Sequence, residues 1–192
     1  MTGSLDAADV LRGVPSQGWV GRRDRALLVL SQLAGLSCPD IADLTAADVT
    51  ITSGTARIRT PTATVTLERS AATELCGPCA LARWLHVLDM TVIYPNGCVA
   101  AAVLARSAPL VGDSPHACET HPHPDRAIRV RHLALVPAVD PWGILVPAPG
   151  TRRRAAHTDP AGPAQPWHQR QTAADRLEHR TEQLLGAEAI HR

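Results

Sequence analysis

Between Asp24 and Leu36 the apolar residues Ala26, Leu27, Leu28, Val29, Leu30, Leu33, Ala34 and Leu36 cover most of a helix circumference, so this helix needs burial on several sides. A chain with such a stretch must wrap other elements around it. Only 3% of its residues are aromatic and none is Phe, so the core has to be built from Leu, Val, Ile and Ala, which favours helices over a large sheet. The 192 residues suit one domain, which at this size buries roughly 70% of the surface its unfolded chain exposes.

Residues 1–20 show a short helical pattern (Leu5, Val10, Leu11) broken at Gly13-Val14-Pro15, and read as a lead-in, with order starting near Trp19. After the central helix, Gly35 falls near its end. Ser37 is placed to cap a second helix with Pro39 in its first turn and Ile41, Ala42 and Leu44 turned inward. Past Asp48 the period changes from helical to alternating. Val49 and Ile51, a Ser53-Gly54 turn, Ala56 and Ile58 between Arg57 and Arg59, then Val65 and Leu67 between threonines predict a three-stranded antiparallel meander. Helical spacing returns over Ala71–Met90, interrupted at Gly77-Pro78 and carrying Leu81, Trp84, Leu85 and Leu88 on one face. A short helix is expected at Val99–Arg106 and an irregular loop at Ala108–Asp125, followed by apolar runs at Leu133–Val136 and Ile144–Val146. Residues 147–170, with five prolines among Gly, Ala and Arg, read as a linker, and residues 171–192 hold an amphipathic helix at about Thr172–Leu185. The expectation is a mainly helical α+β domain over residues 21–146, then linker and terminal helix.

All 19 basic residues are arginine, which excludes every lysine-dependent mechanism. A formal net charge of +1 gives no global field for nucleic acid, so DNA binding would rest on a local patch: Arg57 and Arg59, or the run Arg152-Arg153-Arg154. In a Pro/Gly-rich linker such a run is more often merely a solvated segment. No apolar run reaches a membrane span and the N-terminus lacks a basic-then-apolar leader, so a cytoplasmic protein without membrane contact is expected. The terminal helix is a candidate surface for a protein partner.

Four segments carry a family resemblance. Arg23-Asp24-Arg25-Ala26-Leu27-Leu28 is similar to the opening helix of the tyrosine recombinase (phage integrase) catalytic domain. Ala34-Gly35-Leu36-Ser37-Cys38-Pro39-Asp40-Ile41-Ala42-Asp43-Leu44 is similar to the family's Thr-Gly-Leu-Arg-x-x-Glu-Leu-x-x-Leu box. The Asp48–Leu67 meander resembles its small sheet, and Leu75-Cys76-Gly77-Pro78-Cys79-Ala80-Leu81-Ala82-Arg83-Trp84-Leu85 resembles the Cys-Pro-x-x-Ala-Leu-x-x-Trp-Leu helix of actinobacterial-type members. Val139-Asp140-Pro141-Trp142-Gly143 echoes an Asp-x-Trp-Gly turn of some integrases. The resemblance implies an integrase-like fold over about residues 22–90 and a role in DNA recombination. Its chemistry requires two arginines and histidines on the scissile phosphate, a hairpin lysine and a tyrosine nucleophile.

Those groups are not where the resemblance requires them. Ser37 occupies the position of the first arginine, and a hydroxyl cannot make bidentate charged bonds to phosphate. The hairpin position, Thr60–Thr64, holds no lysine, and the single tyrosine, Tyr94, lies mid-chain. His123 and Arg126 have the spacing of the His-x-x-Arg box but sit in a Pro/His-rich segment. The resemblance therefore implies a catalytically inactive relative, either a DNA-binding accessory factor or a remnant. Ala34–Val49 also resembles the first half of a helix-turn-helix, but strand and turn chemistry at Val49–Gly54 takes the place of a recognition helix.

Five cysteines, an odd number, fit reduced thiols or metal ligands better than a disulfide framework. Cys76-Gly77-Pro78-Cys79 is the thioredoxin tetrapeptide, but a helical or turn-like lead-in replaces the strand that precedes it in a redox site. Two further readings stay open. One is a plain helix start with buried thiols. The other is a zinc site pairing Cys76 and Cys79 with His116 and Cys118, with His121, His123, His86 and Cys98 as possible contributors. That reading implies a zinc-stabilised interaction module.

Overall fold

The computed structural model describes residues 7–94, 102, 104–105, 115–119, 128–139 and 145–146. Its centre is helix α2 (Gly18–Leu28), in which Arg22, Asp24 and Arg25 are buried together with Ala26, Leu27 and Leu28. The helix widens into a π-helical turn, Val29–Leu33, marked by the bond from Ala34 N–H to the Val29 carbonyl at 2.9 Å. Helix α3 (Cys38–Asp43) follows. Ser37 caps it, accepting the Asp40 N–H at 3.3 Å and donating its hydroxyl to the Asp40 carboxylate at 2.5 Å, with Pro39 in the first turn.

The chain before Trp19 is packed, which corrects the expectation that order starts there. Helix α1 (Ala7–Gly13) places Val10 and Leu11, each 2% exposed, in the main hydrophobic cluster. Its C-terminal carbonyls are held from outside the segment. Arg25 donates to the Leu11, Val14 and Glu74 carbonyls, and Arg83 donates to Ser16 at 3.1 Å. Short periodicity could not reveal these tethers, because their donors lie on α2 and on the helix after the sheet. The buried cations are weakened by their position. Burial, and then the like charge of Arg83, lower the Arg22 guanidinium to about 10.

Strands β1 (Val49–Thr52), β2 (Thr55–Arg59) and β3 (Thr64–Leu67) form an antiparallel sheet in that order, with Thr50 opposite Arg57 and Arg57 opposite Thr66. Val49, Ile51, Ala56 and Ile58 face the core while the alternating threonines and arginines face out. The β1–β2 connection has positive φ at both Ser53 (48°) and Gly54 (85°), the two-residue turn whose twist matches the strands. A capping box fixes the entry to β1: the Thr45 N–H and hydroxyl both donate to Asp48, at 2.9 and 2.6 Å.

A 3₁₀ turn (Thr73–Leu75) leads into helix α4 (Gly77–Ile93), which starts at Gly77 because Cys76 is extended and Pro78 suits the first turn. Helix α4 begins six residues after the Ala71 start expected from the sequence and runs past the expected end at Met90 to Ile93. Helix α4 packs along α2. Trp84 is fully buried, and its indole N–H donates to the Leu135 carbonyl at 2.7 Å. Arg129 donates to both carboxylate oxygens of Asp89, at 2.8 and 3.1 Å, and the Asp89 side chain is 2% exposed. Residues 131–135 return beside the α3–β1 connection: Leu135 N–H bonds the Leu44 carbonyl at 2.8 Å and Ala46 N–H bonds Leu133 at 3.0 Å. A short hairpin, β4 (Ala138–Val139) and β5 (Leu145–Val146), follows.

The result is a mostly helical α+β fold with a three-stranded antiparallel sheet. Of the helix expected at Val99–Arg106, Ala102, Leu104 and Ala105 are described and helical, and Leu104 lies in the core at 2% exposure. The 147–170 linker, the terminal helix, the Arg152–Arg154 run and the His123/Arg126 pair lie outside the described residues. No helix among the described residues is long and apolar enough to cross a membrane.

Candidate metal centre

Two short segments meet at the N-terminus of α4. Cys76 is the last extended residue before the helix, and Cys79 lies in its first turn, so the intervening Gly-Pro turns both sulfurs to one side. The second segment is a tight turn closed by the bond from Glu119 N–H to the His116 carbonyl at 3.1 Å. That turn is fastened to the sheet. Gly54 N–H donates to the Cys118 carbonyl at 3.3 Å, and Arg69, just after β3, pairs with Glu119. The β1–β2 turn and the end of β3 thus set the height at which His116 and Cys118 face the helix.

The donor atoms of Cys76, Cys79, His116 and Cys118 all lie within 4.8 Å of one another. Cys79 Sγ is 3.4 Å from Cys118 Sγ and 3.3 Å from His116 Nδ1, and Cys76 Sγ is 3.9 Å from Cys118 Sγ. A tetrahedral zinc ion with Zn–S near 2.3 Å and Zn–N near 2.0 Å implies S–S edges of about 3.8 Å and S–N edges of about 3.6 Å. These three of the six donor–donor separations fall within a few tenths of an ångström of those edges, and the other three are no longer than 4.8 Å. Three thiolates with one imidazole are a donor set that suits zinc. Cys76, Cys79 and Cys118 are 0–1% exposed, and His116 is half-buried.

The electrostatics of the cluster point the same way. Interaction with Cys79 holds the Cys76 thiol down to about 5 against the opposing push of burial. The same interaction, and then burial, push the Cys79 thiol up, and burial pushes up that of Cys118. Three sulfurs compete for one buried negative charge. A divalent cation among them would let all three ionise, as metal-bound thiols do.

All four residues expected from sequence as a zinc set are thus brought together. His86 lies on α4 outside the group, while Cys98, His121 and His123 lie outside the described residues. A 3₁₀ turn rather than a strand precedes Cys76. Arg57 and Arg59 lie elsewhere, on the solvent face of β2, where Arg59 pairs with Asp48 at 3.5 Å. A cleft of about 340 Å³ beside them is lined by Asp40, Asp43 and Asp48 as well as Arg59, a lining with more carboxylates than cations. Exposed Ser37 caps the N-terminus of α3 and is not among the residues lining that cleft. Tyr94 ends α4 at 38% exposure. The sequence signal underrated the turn around Cys118, whose docking on Gly54 and Arg69 depends on residues about 50 positions or more away.

No family model, no curated protein and no solved structure matches the chain.

Proposed function

We propose that this chain is a non-catalytic scaffold domain clasped by one structural zinc ion held by Cys76, Cys79, His116 and Cys118, and that it works by presenting surfaces to a macromolecular partner. The observation that carries this reading is the meeting of four zinc-type donors from two segments 37 or more residues apart, with their donor atoms all within 4.8 Å of one another. Four protein donors leave no position for a substrate or water, which is the arrangement of structural rather than catalytic zinc. The integrase-like origin suggested by the opening helix, the Ala34–Leu44 box and the meander agrees with an order of helix, helix, three strands and helix. Ser37 as a helix cap and Thr60–Thr64 in the hairpin supply none of that family's phosphate chemistry. Metal analysis of the purified full chain tests the proposal: one zinc per chain is expected, with a lowered Tm after chelation, and a chain free of zinc whose Tm ignores chelators would refute it.

One observation favours nucleic acid as the partner: Arg57 and Arg59 lie on the outer face of β2 flanked by Thr50, Thr64 and Thr66. Binding through them would weaken steeply with salt and fall when both are changed to Ala. The neighbouring carboxylates Asp40, Asp43 and Asp48 oppose a phosphate backbone along that edge. Salt-independent retention of DNA by the double variant would remove this reading.

A further inference from the structure

Resting on the zinc reading, we propose that the centre is an exchangeable clasp: oxidation by a peroxide replaces the metal with a disulfide between Cys79 and Cys118, so that the 116–119 turn stays fastened to α4 after the zinc has left. Three features of the cluster carry this. Cys79 and Cys118 bring their sulfurs to 3.4 Å, closer than the 3.9 Å between Cys76 and Cys118, so the pair needs the smaller movement to reach bonding distance. The two residues lie on opposite sides of the clasp, one on α4 and one on the turn that Gly54 and Arg69 hold against the sheet. A bond between them therefore crosses the same gap that the metal would span. His116 is the half-buried member of a cluster whose three sulfur residues are buried, so a small oxidant would approach along its side.

The step balances with peroxide as the two-electron oxidant. The Cys79 thiolate attacks one peroxide oxygen; the S–O bond forms as the O–O bond breaks, and the departing oxygen takes a solvent proton to leave as water. The Cys118 thiolate then attacks the Cys79 sulfur. The S–S bond forms, the S–O bond breaks, and the second oxygen leaves as water with another solvent proton. The two sulfurs have lost two electrons to the peroxide, and the zinc has lost two of its four donors. Cys76 and His116 alone do not retain it. The new cross-link joins residues 39 apart, so it restrains the unfolded chain as the metal did.

The test uses the full chain carrying Cys38→Ser and Cys98→Ser, which leaves only the three cluster thiols, alongside the unaltered chain. Hydrogen peroxide is added while zinc release is followed with a chromophoric chelator, free thiols are titrated, and linked peptides are mapped by mass spectrometry. The expected result is loss of one zinc and two thiols per chain together, a Cys79–Cys118 linked peptide, and continued hydrogen-exchange protection of the Gly54 amide that donates to Cys118. Reduction with a dithiol should restore zinc binding. Zinc that is retained under peroxide overturns the exchange but leaves the zinc reading standing. A Cys76–Cys79 linked peptide, or loss of Gly54 protection on oxidation, also overturns it, because the turn would then be released. Absence of zinc before any oxidant is added refutes the exchange and the zinc reading together.

Discussion

Cys118 joins the two halves of the centre, since its sulfur faces Cys76 and Cys79 while its carbonyl accepts the Gly54 N–H. Changing it to Ser removes a soft donor and replaces a fully buried thiol with a hydroxyl, so zinc content should drop to well under one per chain. Cys38→Ser, at a half-buried residue outside the cluster, should leave zinc content unchanged. Metal analysis of the two variants side by side checks both. Arg129→Ala is a different kind of change. It removes the bidentate partner of a carboxylate that is 2% exposed, and should cost roughly 2–3 kcal/mol, near the low end for a broken buried pair because Arg129 keeps one side in water. Denaturant unfolding would measure it, and a cost below about 0.5 kcal/mol would place the pair among surface bridges. Neither Arg129 nor Asp89 was legible as a partner from sequence. Two single charges 40 positions apart carry no pattern until the return of the chain beside α4 brings them together.

At the scale of elements, the central helix and the meander were legible because each repeats a local signal: apolar residues on several sides from Ala26 into the π-helical turn, strict alternation around a Ser-Gly turn for the strands. What failed were boundaries and α1. The Ala71 start for α4 missed the 3₁₀ turn and the extended Cys76, since Thr73, Glu74 and Leu75 have no periodicity of their own. Residues 1–20 read only as a lead-in because Leu5, Val10 and Leu11 make a weak helical pattern, and the hold of α1 on the core comes from arginine donors elsewhere. The zinc ligands were legible as residue types, but their meeting depends on the β1–β2 turn, which no local signal connects to Cys118. Gly54→Val tests that dependence. A β-branched side chain at φ 85° should cost about 1–3 kcal/mol. The shifted turn should also weaken zinc binding, read by chelator competition, although Gly54 contributes no ligand. Unchanged zinc affinity in a destabilised variant would separate the sheet from the centre.

For the whole molecule, the zinc account makes stability a linked function of metal and protons. Bound metal adds about 4 kcal/mol when free zinc exceeds the dissociation constant 1,000-fold, provided the unfolded chain does not bind it. Protons compete for three sulfurs and one imidazole, so affinity should fall as pH is lowered, and the Tm gap between zinc-loaded and chelated protein should narrow toward acid pH. A gap that widened in acid would mean that the ligands are not thiolates. The cleft lined by Asp40, Asp43, Asp48 and Arg59 holds more carboxylates than cations, and the sequence contains no lysine. The most direct test is the stoichiometry of zinc in the purified full chain, measured by elemental analysis against protein concentration. The account predicts one zinc per chain, abolished by Cys79→Ser and retained by Cys38→Ser. Protein that is folded and stable with no zinc, and takes up none when it is supplied, would contradict it.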